Sequence, residues 1–147
     1  ASEDDMAIEA FRVTSRFGSS VPWGRVVDHV HAALEDRLAI EARLADRIRT
    51  YQARQATHRL PPPVVRFDDT ASATATVVEV HAPDRVGLLY RVSRAFAELA
   101  IDVRVAKVQT LGDLGVGSFY VTAADGSVVS DPVVRAELER ALLHAVS

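Results

Sequence analysis

Apolar and polar positions alternate along Thr76-Val77-Val78-Glu79-Val80-His81, the two-residue period of a strand. Just beyond, Leu88, Leu89, Val92, Phe96 and Leu99 recur at helical spacing, with Arg91, Arg94 and Glu98 on the opposite side. The same reading predicts a strand at 75–82, a helix at 86–100, strands at 101–110 and 116–123, and a helix at 132–146. Leu111-Gly112-Asp113-Leu114-Gly115 supplies the glycines a chain reversal needs. Before it, the apolar phase slips from Ile101/Val103 to Ala106/Val108, which predicts a bulge near Val105. Asp131-Pro132 is a helix start, with a capping carboxylate followed by proline at the first helical position.

Upstream, 6–15 reads as a strand with Phe11 and Val13 on one face, followed by a turn and a helix from about Pro22. Val26, Val30, Leu34 and Leu38 form its apolar stripe. The segment 35–55 reads as a helical connector, either continuous with that helix or broken near Asp36. Pro61-Pro62-Pro63 makes a stiff extended joint, and 64–67 is a short strand followed by the turn 68–72.

A repeat reorganises this list of elements. Phe11-Arg12-Val13-Thr14 with Gly18-Ser19-Ser20-Val21 recurs, ungapped, as Phe119-Tyr120-Val121-Thr122 with Gly126-Ser127-Val128-Val129. The register continues from Val26, Val30, Ala33 and Leu34 to Val134, Leu138, Ala141 and Leu142. A spacing of roughly a hundred residues is that of duplicated domains, since solenoid repeats run about 20–50. The second copy has a full upstream half and the first has almost none, so the expectation is a chain that starts inside a domain of something longer. The predicted organisation is 1–35 as the end of a first domain, 36–63 as a helical linker ending in the proline joint, and 64–147 as a second domain. The order strand–helix–strand–strand–helix lacks only the fourth strand of an α+β, ferredoxin-like βαββαβ unit, an antiparallel four-stranded sheet with two helices on one face. The strand at 64–67 is placed to fill that slot beside 75–82; completing the first unit is the alternative.

Composition narrows the classes. With 48% hydrophobic and 25% charged residues the chain is globular, and a net charge of −3 gives no electrostatic reason to expect nucleic acid or an anionic membrane. The absence of cysteine excludes disulfides and thiolate metal sites and fits a cytoplasmic protein. No apolar run approaches the roughly 18 residues of a membrane span.

The candidate chemistry sits at Pro83-Asp84-Arg85-Val86-Gly87-Leu88-Leu89, between the alternating strand and the amphipathic helix. Asp84 is placed to cap the helix, and Gly87 leaves first-turn amides uncovered for a carboxylate or another small polar ligand. A plain cap and a packing glycine would leave the same trace. His29 and His31, two apart on a helix, point to different sides and read as surface residues, while His81 lies beside the loop. No phosphate loop, nucleophile elbow or dinucleotide glycine motif occurs, so no catalytic residue and no metal site is nominated. An RNA-binding sheet would need exposed aromatics and basic character; of the adjacent Phe119 and Tyr120 only one can face outward.

The segments His81 to Leu89, Ala106 to Gly112 and Phe119 to Gly126 resemble an ACT domain. More closely, with Phe11 to Trp23 and Leu60 to Phe67, they are similar to the second of two C-terminal ACT domains in the bacterial PII uridylyltransferase family, bifunctional uridylyltransferase and uridylyl-removing enzymes. The resemblance implies a regulatory region that senses an amino acid, glutamine by expectation, through Asp84, Arg85, Val86, Gly87, Leu88 and Leu89. It implies no cofactor in this chain, magnesium and the catalytic domains elsewhere in the parent enzyme, the PII protein as that enzyme's partner, and possible homodimers through ACT units. In some actinobacteria the corresponding enzyme is an adenylyltransferase. A non-sensing module for dimerisation or docking is the other reading. Where the family often has an acidic pair after the third-strand valine, this chain has Gly117-Ser118, which places contacts from that strand in doubt.

Overall fold

The computed structural model describes residues 2–3, 6–7, 20–52 and 61–147. The chain divides into two compact units, residues 1–6 with 57–147, and residues 7–56. Ser2–Glu3 (β1) and Met6–Ala7 (β2) form a two-stranded sheet. Of the strand expected at 6–15 only these last two residues are described, and the first copy of the repeat up to Ser19 lies outside the described residues.

In residues 7–56 the described elements are two helices, Trp23–Leu34 (α1) and Ile40–Gln52 (α2). Pro22 stands at the N-cap of α1, and the pattern breaks at Asp36, whose backbone is left-handed (φ 53°). Of the two readings of the connector, the break is the one found. The Arg37 amide donates to the Ala32 carbonyl at 2.8 Å and closes the end of α1. Leu34 at the end of the apolar stripe is 79% exposed, whereas its repeat counterpart Leu142 in the other unit is fully buried.

The unit at 57–147 is built on four antiparallel strands: Val64–Asp68 (β3), Thr76–Pro83 (β4), Asp102–Leu111 (β5) and Leu114–Thr122 (β6). Their order is β3-β4-β6-β5, with Leu88–Glu98 (α3) following β4 and Pro132–Val146 (α4) following β6. The expected α+β ferredoxin-like architecture is therefore found. β3 pairs antiparallel with β4 from Val64–His81 to Asp68–Val77, so the strand that precedes β4 in sequence fills the fourth-strand place. A short turn suffices because antiparallel neighbours need no crossover. Asp68 organises that turn by accepting hydrogen bonds from the amide and hydroxyl of Thr70.

Alternation puts Val65, Val78, Val80, Phe119 and Val121 on one face of the sheet, where they meet Val92, Phe96, Leu138 and Leu142 of α3 and α4 in a single core. The rings of Phe96 and Phe119 are 5.2 Å apart between centroids and tilted by 51°. Tyr120 takes the opposite face, with Lys107 over its ring. The bulge occurs between Val103 and Val105, leaving Arg104 as the extra residue. The β5–β6 connection is tighter than the five-residue turn expected: Leu111 pairs with Leu114 around Gly112-Asp113, with Gly112 at φ 62°. A positive φ at the first central residue is what a two-residue hairpin with glycine there requires. Asp131 caps α4 as its sequence predicts, accepting from the Val133 amide at 2.8 Å.

Candidate functional site

The loop between β4 and α3 is held at both ends by main-chain bonds. The Asp84 amide donates to the Asp113 carbonyl at 2.8 Å, tying the loop to the tip of the β5–β6 hairpin. The Leu88 amide donates to the Arg85 carbonyl at 3.0 Å, closing a turn in which Gly87 adopts φ 81° and ψ 8°. Those are the angles of the third residue of a type II turn, a place suited to glycine because a Cβ is strained at positive φ. The helix that follows starts two residues later than the apolar pattern suggests because this turn takes up 85–88.

Two expectations about the loop are corrected by this geometry. Asp84 does not cap the helix: Gly87 occupies the N-cap of α3 and no side chain caps it. Nor is the Leu88 amide open, since it serves the turn. The amides of Gly87 and Leu89, like those of Arg85 and Val86, make no main-chain hydrogen bond among the described residues. The Asp84 carboxylate and the Arg85 guanidinium likewise make no hydrogen bond among the described residues, which leaves two opposite charges side by side at the rim. Val86 points its carbonyl at Arg91 Nη1, at 3.1 Å, and Arg91 Nε donates to the Ala145 carbonyl at 2.6 Å. Arg91 thus pins the loop to the end of α4; burial, and next the charge of Arg85, lowers its pKa from the usual arginine value.

Beneath the loop lies a cavity of about 240 Å³. Asp84, Arg85, Gly87, Leu88 and Leu89 border it, five of the six residues expected at the site; Val86 does not. Tyr90 and Val92 of α3 complete the helix side. The sheet side is formed by Val80 of β4, Gly115, Gly117 and Phe119 of β6, and Val108 and Thr110 of β5. Pockets for drug-sized ligands run about 300–1,000 Å³, so this volume is on the scale of an amino acid. A second cavity, of about 300 Å³, lies behind Arg85 against Pro61, Pro62, Pro63, Pro83, Val146 and Ser147, and shares only that arginine with the expected site.

The sheet-side residues were not nominated from sequence. Gly117 lines the cavity while Ser118 faces the other way, opposite Glu79 and Lys107. This strand therefore borders the cavity through Gly115, Gly117 and Phe119, while Ser118 does not. Glycine at alternate positions 115 and 117 of a strand is the signal that could have found it, because such a strand has a bare face. His81 also faces away from the cavity, paired with Val64 and Val116.

Comparison with known proteins agrees with this architecture. The family profile for the ACT domain matches residues 76–142. A bifunctional uridylyltransferase/uridylyl-removing enzyme of Streptomyces coelicolor is 38% identical over 125 residues, 85% of this chain and 15% of that protein. Enzymes of the same name from Gluconobacter oxydans and Rhodospirillum rubrum are 34% and 30% identical, each across 98% of this chain and 16% of theirs. The chain thus spans about a sixth of the length of these relatives. Among the described residues no helix is long and apolar enough to cross a membrane. Residues 76–142, which carry the fold and the loop just described, are an ACT domain.

Proposed function

We propose that this chain is the amino-acid-sensing regulatory region of a cytoplasmic PII-modifying nucleotidyltransferase, a uridylyltransferase/uridylyl-removing enzyme acting in nitrogen regulation, and that glutamine is its effector. The observation that carries the sensing part is the cavity under the 84–89 loop, where among the described residues the amides of Gly87 and Leu89 and the charged groups of Asp84 and Arg85 make no hydrogen bond. The amides and Arg85 suit a carboxylate, and Asp84 suits an ammonium group. The similarity to bifunctional uridylyltransferase/uridylyl-removing enzymes supports the parent activity. In this reading residues 1–35 end a first ACT domain, 36–63 link, and 64–147 are the second; the catalytic domains, their magnesium and the PII partner belong to the parent. A ligand that prefers one arrangement of paired ACT units shifts that arrangement, which is how binding reaches the catalytic domains.

Calorimetric titration of glutamine into the folded chain tests this: saturable heat is expected, and flat titrations at millimolar ligand contradict it. A second reading, a module that only dimerises or docks, is favoured by one observation. The edge strand β5 exposes Val105, Val108 and Leu111, and an uncovered strand edge invites pairing with another chain. Gly87→Val separates the two readings, because it should abolish a ligand response and leave assembly unchanged.

A further inference from the structure

Two positions of β6 beneath the cavity carry no side chain, and neighbouring side chains fill the space above them. Gly115 stands between Ala82 and Thr110 in the sheet register, and Gly117 between Val80 and Val108, all on the face that meets the helices. A Cβ on Gly115 would lie 2.6 Å from Leu88 Cδ2, and one on Gly117 would lie 2.6 Å from Phe119 Cε2. Both distances are far inside van der Waals contact. Leu88 and Phe119 therefore occupy the space that side chains at 115 and 117 would take. Any substitution there lifts one of them into the cavity, so its volume depends on two missing methyl groups.

What surrounds the cavity is mostly apolar: Val80, Val92, Val108 and Phe119 supply hydrocarbon walls. Thr110 is the one hydroxyl on the sheet side, directly opposite Gly115 and at the open edge. The charged groups, Asp84 and Arg85, border the cavity from the loop. We infer that Gly115, Gly117 and Thr110 are the selectivity element of this cavity. The two glycines let Leu88 and Phe119 lie low against the sheet, so the apolar walls above them take the aliphatic stem of a bound amino acid, and the Thr110 hydroxyl meets a polar group at the stem's end. The inference rests on the amino-acid-sensing reading and adds which side chain is accepted: an apolar stem with a hydrogen-bonding tip, in preference to a wholly apolar one.

The experiment is calorimetry on the full chain with glutamine and norleucine, which share a stem and differ at the tip, for the wild type and for Thr110→Val, Gly115→Ala and Gly117→Ala. Thr110 is exposed, so its valine variant keeps the fold; thermal melts establish folding for all three. Thr110→Val should weaken glutamine about three- to tenfold, the worth of one hydrogen bond, and leave norleucine within about twofold. Gly115→Ala should weaken both ligands together. Equal effects of Thr110→Val on both ligands, or unchanged affinities in the folded Gly115→Ala variant, would overturn the selectivity element while leaving sensing intact. Absence of heat with either ligand on the folded wild type would instead overturn the sensing reading and this inference with it.

Discussion

Replacing Gly117 by alanine tests the packing beneath the cavity independently of any ligand. The new methyl would lie 2.6 Å from Phe119 Cε2 and 2.9 Å from Cζ, so the ring must move by about an ångström to restore ordinary contact. Phe119 is 3% exposed and its ring is held against Phe96, so that movement disturbs the centre of the core. Overpacking of this kind costs about 1–3 kcal/mol, and replacing a strand glycine returns about 0.5–1 kcal/mol, leaving a net loss of about 0.5–2 kcal/mol. Gly115→Ala makes a contact equally close, but with the far methyl of Leu88 on the first turn of α3, which is only partly buried. A displaced rotamer costs about 0.5–1.5 kcal/mol, close to what the glycine replacement returns, so this variant should be near neutral. For a unit of this size 1 kcal/mol is about 4–8 °C in melting temperature, so the two melts separate clearly. Differential scanning calorimetry on both variants decides the matter. Equal melting temperatures for the two alanine variants would refute the claim that the Phe119 ring is pinned and Leu88 is not.

Other consequences follow from the same contacts. Asp84→Ala should leave the urea midpoint within about 0.5 kcal/mol of wild type, because its carboxylate caps nothing, yet abolish glutamine heat; lost stability would restore a capping role. Gly87→Ala should cost about 1–2 kcal/mol in chemical denaturation, since its φ of 81° strains any Cβ. Asp131→Ala should destabilise by about 0.5–2 kcal/mol through loss of the α4 cap, and an unchanged midpoint would argue against the bond to Val133. Hydrogen bonds from Arg135 to Asp69, from Thr70 to Asp68 and from Ser127 to Asp125 lower all three carboxyl pKa values. Their folded values lie below the unfolded one of about 3.9, so their stabilisation is present above that pH and is lost as pH falls through the folded values. Melting temperature should therefore drop on acidification below about pH 4, less steeply in Asp69→Asn, and a rise there would contradict the assignment.

Much of this fold was legible because burial is one-sided. Alternation in β4 and the helical stripe of α3 had to appear in the sequence once helices cover only one face of the sheet. The bulge showed as a phase slip for the same reason: one extra residue, Arg104, exchanges the faces of everything after it. The site was half legible. The rim residues could be found because the alternating strand and the helical stripe locate the junction between them, and the cavity opens at that junction. The role of Asp84 was misjudged, since a type II turn and a capped helix start place an acid and a glycine at similar spacing, and only the dihedral angles of Gly87 separate them. The sheet side was missed because Thr110, Gly115 and Gly117 belong to two strands whose register brings them together, and a glycine reports nothing about what lies above it.

The account depends on a small molecule lodging in the cavity between the 84–89 loop and the sheet. Amide chemical-shift mapping of the ¹⁵N-labelled chain, titrated with glutamine, tests this most directly. The account predicts saturable shifts at Gly87, Leu89, Thr110, Gly115 and Gly117, with the far ends of β3 and α4 unmoved. A well-dispersed spectrum that stays unchanged at saturating glutamine, or shifts confined to residues outside the cavity, would contradict it.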